Sequence, residues 1–298
     1  MVPILECVPN FSVGRDMQVL EAIADHFRGK QGVKLLDYTA DADHNRSVIT
    51  AVGQPEALRD ALVSAVGEAV KRIDLNCHTG QHPRIGAADV VPFIPIRGCT
   101  MAEADAIARQ AAAEIARRYD LPCYLYERSA TAAHRKNLAD VRKGEFEGLP
   151  AKMRDPLWKP DFGPEHPHPT AGATVIGARA PLIAFNVNLN TSDVRIAKAI
   201  ARRVRHSSGG YRSVKALGVL VEQGEVAQVT MNLTDYTDTA IYRAFEAVKM
   251  EAARYGVGVR NSELIGLIPM QAVADCAAYY LQMDSLNVDR ILESGLEF

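Results

Sequence analysis

His78 and His82 stand four residues apart, with Arg84 two positions beyond the second, in a loop that runs directly into an apolar stretch, Asp89–Ile96. Groups that can carry protons and bind anions are thereby held at the end of a rigid element, where chemistry is usually found. Gly80 and Gly86 let the backbone turn sharply on either side. Pro83 fixes its own φ and keeps His82 out of helical geometry. An imidazole with so few options suits a positioned general base, because its charge changes near neutral pH. A plain turn residue is the bland alternative, and a metal ligand is the other. On a helix, the four-residue spacing would put both histidines on one face, but Gly80 and Pro83 argue against a helix and no third ligand stands at a convincing spacing. No metal is expected.

Three further segments gather polar residues at strand ends: Pro9-Asn10-Phe11-Ser12, Asp43-His44-Asn45-Arg46 and Ala184-Phe185-Asn186-Val187-Asn188. In an extended chain Asn186 and Asn188 point to one side while Val187 and Leu189 point to the other, and Gln228, Thr230 and Asn232 repeat the device. A sheet face lined with amides either meets solvent or walls a site that reads hydrogen bonds. Arg46, Arg84, Arg179 and Lys215 are the cations available for an anionic substrate, and Arg46 and Arg84 match a carboxylate bidentately. Gly172–Gly177 is glycine-rich but lacks the Lys-Ser/Thr of a phosphate loop, and no Gly-x-Ser-x-Gly nucleophile elbow occurs.

The elements that must carry these groups follow from periodicity. Val2–Val8 reads as a strand, Val19–Phe27 as a helix, and Val33–Tyr38 and Arg46–Val52 as strands. Pro55 opens a second helix, and Asp89–Ile96 is the next strand, giving βαββαβ. Leu182–Leu189, Asp193–Val204, Ser213–Val221, Glu225–Leu233, Asp238–Ala253 and Val257–Ile265 repeat that order without residue-level self-similarity. The expected fold is α+β: two ferredoxin-like subdomains, residues 1–179 and 180–298, each a mixed or antiparallel sheet with helices on one face. Between the halves lie a helix over 101–118, a strand Pro122–Glu127, and a stretch from about 144 to 172 with too many prolines for helix or central strand. Its Leu149, Met153, Leu157, Trp158 and Phe162 are poor linker residues, so it reads as an ordered binding segment. The last helix, Pro269–Gln282, is expected to pack through Val273, Ala277, Tyr280 and Leu281.

With 34 Lys and Arg against 36 Asp and Glu in 298 residues, the net charge of −2 supports neither nucleic-acid nor membrane-surface partners. Five scattered cysteines with no Cys-x-x-Cys pair fit a reducing compartment. The first residues do not read as a signal peptide and no run of about 18 apolar residues occurs, so a cytoplasmic location is expected.

In order along the chain stand Glu6-Cys-Val-Pro-Asn-Phe-Ser12, Asn45-Arg46, Gly80-x-His-Pro-Arg84 with Asp89-Val90 and Pro92-Phe-Ile-Pro95, Tyr124-Leu-Tyr126 and Trp158-x-Pro-Asp-Phe-Gly-Pro164. Gly172-Ala-Thr174, Gly177-Ala-Arg179, Ala184-x-Asn-x-Asn-Leu189, Gln228-Val229 with Asn232-Leu233, and Gly266-Leu-Ile-Pro269 follow. Together they resemble the formiminotransferase (glutamate formimidoyltransferase) family, which also forms the N-terminal part of formiminotransferase-cyclodeaminases. The cyclodeaminase part, about 200 residues on typical domain sizes, is not expected here.

The resemblance implies transfer of the formimino group of N-formimino-L-glutamate to N5 of tetrahydrofolate, in a homodimer. It puts the catalytic histidine at His82 and the folate-binding segment at Gly163–Gly172, including Pro164. Asn10, Asn45, Arg46, Arg84, Asn188, Gln228 and Asn232 are the expected substrate- and folate-binding residues. Two positions depart from the family pattern: Val13 and Gln81 stand where glutamate is usual. A neutral formyl donor, N-formylglutamate or 5-formyltetrahydrofolate, is therefore the second enzyme reading, and a non-catalytic folate-binding protein the third.

Overall fold

The computed structural model describes residues 2–80, 82–221 and 224–295. Its contacts divide into two compact units, with the boundary between Arg179 and Ala180. Among the described residues the first unit holds a seven-stranded sheet and the second a four-stranded one. An α+β fold of two sheets and their helices is thus what the chain adopts.

In the first unit, β1 (Ile4–Cys7) and β2 (Asn10–Phe11) lie end to end between β4 (Arg46–Gly53) and β5 (Ala88–Arg97), antiparallel to both. β3 (Val33–Asp41) pairs outside β4. The sheet grows beyond β5 through parallel pairing with β7 (Thr174–Ala178) and then β6 (Cys123–Leu125). β5 is central, and its first seven residues are all buried, which explains why it reads as a nearly continuous apolar run. β7 was not anticipated. Its sequence Thr-Val-Ile-Gly-Ala shows no alternation because both its faces are covered.

Three helices pack on one face of this sheet: α1 (Met17–Ala24), α2 (Pro55–Arg72) and α3 (Met101–Tyr119), joined in one core with Leu5, Phe11, Ile49 and Phe93. Asp16 caps α1, Pro55 starts α2, and Thr100 with Glu103 forms a capping box on α3. Val13, one of the two departures from the family pattern, is a buried member of this core. The other, Gln81, lies outside the described residues.

The opposite face is covered in part by the segment between the halves. α4 (Leu138–Arg142) and α5 (Glu145–Lys152) contribute Val141 and Leu149 to a second cluster with Ile85, Val90, Tyr124, Tyr126 and Val175. α5 forms although Pro150 lies within it, contrary to the expectation that prolines keep this stretch out of helix. The helix is only eight residues long, and its burial of Leu149 outweighs the lost backbone bond. A buried ion pair, Arg135 to Asp161 at 2.8 Å, ties the proline-rich stretch to the unit. Trp158 is enclosed by Lys152, whose Nζ sits 3.8 Å from the ring centre, and by His134 and Tyr124.

In the second unit the strand order is β11 (Val259–Ile265), β8 (Ile183–Leu189), β10 (Val226–Leu233), β9 (Val214–Val221), antiparallel throughout. α6 (Val194–Val204) and α7 (Ile241–Ala253) cover one face through Ala197, Ile200, Ala244 and Val248. α8 (Met270–Tyr280) buries Ala272, Ala274 and Ala278, while Val273, Tyr280 and the following Leu281 are exposed. The expected packing face of that helix is corrected accordingly: small alanines, not the large side chains, allow the close approach.

The start of β5 is fastened by an isolated bridge between Gly86 and Gly172. Gly172 has φ +67°, and a Cβ there would lie 2.1 Å from the Ile85 carbonyl oxygen. Gly172→Ala is expected to cost about 2 kcal/mol or more of unfolding free energy from left-handed strain and collision. Urea denaturation of the two proteins checks this; equal midpoints would contradict it.

Candidate active site

Arg46 opens β4 and Asn10 opens β2, and the pairing of Asn10 with Val48 brings the two side chains together. The Arg46 guanidinium donates to Asn10 Oδ1 through Nη2 and to His82 Nε2 through Nη1. Asn10 is fixed in turn, since its amide donates to the Val8 carbonyl at 2.8 Å. The Arg46 Nε is buried and finds no acceptor. Among the described residues no carboxylate forms an ion pair with this guanidinium. Arg84, Arg135 and Arg142, the other enclosed arginines of the unit, each have one.

The loop that presents His82 is laced on both limbs. On the entering limb, His78 Nε2 bonds the Asn45 carbonyl at 2.8 Å, and Asn45 donates from its amide to Thr79 O at 3.1 Å. Asn45 itself has φ 47° and accepts from Gly14 N at 2.9 Å, so its side chain clasps three loops together. On the leaving limb, Arg84 is buried, with Nη1 donating to Glu145 at 2.9 Å and Nη2 to Glu147 at 2.7 Å. Its Nε donates to His78 Nδ1 at 3.2 Å. Arg84 was expected to hold a substrate carboxylate. Its guanidinium is instead spent on two carboxylates of α5, and it locks the loop to that helix.

The 169–172 end of the Gly163–Gly172 segment is bonded to the two ends of the same loop. Leu75 N donates to Thr170 O, Ala87 N to Ala171 O, and Ala173 N to Ile85 O, all within 3.0 Å. Gly163 takes φ +90° against the Leu121 carbonyl, and Pro164 follows it half-buried. The loop that carries His82 is therefore anchored at its base to the 169–172 end of that segment.

Two residues beside the ring were not singled out from sequence as site groups. Asp89, on β5, accepts from Ile85 N at 2.9 Å and from Arg142 Nη2 at the end of α4. Both members of the pair are nearly enclosed, at 4% and 11% side-chain exposure, and the Arg142 Nε has no acceptor. A carboxylate opening an otherwise apolar strand was a usable signal, because a buried charge needs a partner. Nothing local identified Arg142, which is 53 residues away along the chain.

Burial is the main cause that holds His82 down to about 4, and the Arg46 and Arg142 guanidiniums add to it. Asp89 and a bond with the Pro83 backbone act the other way. The ring is therefore neutral in the free protein, not poised near neutrality as expected from its residue type alone. Arg46 is itself lowered to about 10, chiefly by burial and then by Arg142. Among the described residues no group of three His, Cys, Asp or Glu side chains is arranged to hold a metal ion.

In the second unit the sheet register places Gln228 opposite Asn188, Thr230 opposite Asn186, and Asn232 opposite Ala184, on the face away from α6 and α7. Gln228 Nε2 donates to Asn188 Oδ1 at 2.9 Å, Asn188 to Asn261 at 3.0 Å, and Asn186 to Glu263 at 3.2 Å. Asn186, Asn188 and Gln228 are buried, whereas Asn232 is exposed. The expected sheet face lined with amides exists, and most of it is a hydrogen-bonded ladder across three strands.

Residues 4–179 match the family described as "Formiminotransferase domain, N-terminal subdomain", and residues 184–294 match "Formiminotransferase domain". The chain is similar to a glutamate formimidoyltransferase of Streptococcus pyogenes, with 48% identity over 99% of both chains. A second relative with that name, from Thermoplasma acidophilum, is 44% identical over 99% of this chain and 97% of its own. The formimidoyltransferase-cyclodeaminase of Rattus norvegicus is 40% identical over 97% of this chain, which spans 54% of that longer protein.

Because His82 in the folded protein binds a proton only near pH 4 against an ordinary 6.5, the unfolded chain takes up that proton first on acidification. The contribution to stability is complete above about pH 6.5 and is lost as pH falls toward 4. His78 and His168, also lowered by burial, act the same way in any variant. Urea denaturation at both ends of this window should show a smaller loss for His82→Gln than for the parent; identical losses would contradict the neutral, buried ring.

Proposed function

The chain belongs to the formiminotransferase family, and we propose that it transfers the formimino group of N-formimino-L-glutamate to N5 of tetrahydrofolate, releasing L-glutamate and 5-formiminotetrahydrofolate. One observation supports the assignment of roles: a half-buried imidazole held through Nε2 by Arg46, on a loop whose base is bonded to the end of the Gly163–Gly172 segment.

The chemistry requires one proton to move twice. As N5 attacks the amidine carbon, a C–N bond forms and the N5 proton must leave; His82 accepts it. The tetrahedral carbon then expels the glutamate nitrogen, which must gain a proton, and His82 returns it. A single base serving both steps is typically worth about 10²–10⁴-fold in rate, or about 3–5 kcal/mol. Tetrahydrofolate is the co-substrate and lies along Gly163, Pro164 and Gly172. Asn10 and Asn45 lie beside His82 in the first unit; Asn188, Gln228 and Asn232 are proposed as ligand-binding groups of the second unit. On this proposal residues 1–179 and 180–298 are the two subdomains of one enzyme. It works as a cytoplasmic homodimer with no metal, nucleic-acid or membrane partner.

A formyl donor is the competing assignment. Val13 does not favour it, since that side chain is part of the core. The test is turnover of N-formimino- and N-formyl-L-glutamate by the parent and by His82→Ala. Formimino transfer by the parent, lowered about 10²-fold or more in kcat by the substitution, is expected. Transfer of formyl alone, or a loss within about tenfold, would refute the assignment.

A further inference from the structure

We propose that Arg46 is the receptor for the α-carboxylate of the amino-acid donor, and that this carboxylate, by drawing the guanidinium off His82 Nε2, frees the imidazole to act as the base. The inference rests on the function proposed above and names how its substrate is recognised and how the base is released.

The Nε2 lone pair that accepts from Arg46 cannot accept a proton from an amine at the same time. Among the described residues, Arg46 holds it with a charge whose partners are an amide and an imidazole, and with an Nε that has no acceptor. A cation enclosed without an anion is costly, and an incoming carboxylate offers two oxygens in the geometry a guanidinium prefers. The other charged or titratable groups facing the ring do not compete for that role. Arg142 on α4 is already bound to Asp89 on β5, and the His44 ring, from the turn after β3, stands 6.1 Å away, centre to centre.

The donor's own chemistry selects its α-carboxylate. The nitrogen that departs is bonded to the α-carbon, so the α-carboxylate lies within reach of a cation adjoining the base, whereas the γ-carboxylate is two carbons farther along. With Arg46 moved to that carboxylate, the N5 proton passes to Nε2 as the new C–N bond forms. The same proton passes to the α-nitrogen as the old C–N bond breaks. Electrons and protons balance within donor, folate and His82.

The full-length chain titrated with L-glutamate at about pH 5.5, in two buffers of different ionisation enthalpy, reports proton uptake directly, because moving Arg46 to the ligand carboxylate removes one of the causes that lower the ring, while burial and Arg142 remain. Measurable uptake, a fraction of a proton per glutamate, is expected. 4-Aminobutyrate, which keeps the γ-carboxylate and lacks the α-carboxylate, should produce none, and His82→Gln should bind glutamate without uptake. Arg46→Met should raise KM for the formimino donor about 100-fold while KM for folate changes less than about threefold; Arg46→Lys provides the same comparison with the charge retained. Glutamate binding to the parent without proton uptake, no detectable glutamate binding, or an unchanged donor KM in both Arg46 variants would overturn the proposal. Loss of the base assignment itself would show separately, as transfer surviving in His82→Ala.

Discussion

A guanidinium that meets no carboxylate among the described residues is the constraint on which the His82 site depends. Arg46 is held by Asn10 on one side and His82 on the other, and neither carries an opposing charge. Arg135 and Arg142 meet carboxylates in the same unit, so the chain has the means to neutralise a buried cation and does not use it at Arg46. The cost of that arrangement is borne by the surrounding scaffold, as is usual where a site is pre-formed for a ligand.

That scaffold is a set of short, mutually supporting ties. Ser12 Oγ donates to Gly86 O at 2.7 Å, Ile85 N to Asp89, and Ala173 N to Ile85 O. Each is worth about 1 kcal/mol net, but together they pin the leaving limb of the His82 loop to β2, β5 and the strand that follows Gly172. Arg84 extends the tie to α5 and Asn45 extends it to the turn after β3. The imidazole consequently points where the backbone of four separated segments dictates, and its low proton affinity follows from the enclosure.

Much of this is legible in the sequence. The βαββαβ order, the His82 loop on its strand, and the paired amides of β8 and β10 all follow from period and residue type, because each depends on local spacing. What escaped depends on contacts distant in sequence. Arg142 gives no local sign of function, being one of two charged residues on a short helix, and becomes a site residue only by reaching Asp89. β7 was hidden because a strand buried on both faces shows no alternation. Arg84 has the residue type of a carboxylate clamp, yet the partners that occupy it, Glu145 and Glu147, lie more than sixty positions further on. Residue type announced the chemistry at His82, while its proton affinity depended on burial and two cations.

Nitrogen-15 NMR of the histidine side chains in the free protein near pH 7, with His82 assigned by substitution, reads the state of the ring itself. A neutral ring protonated on Nδ1, with Nε2 shifted as a hydrogen-bond acceptor, is expected. A doubly protonated imidazolium, or a ring exchanging freely between tautomers, would contradict it.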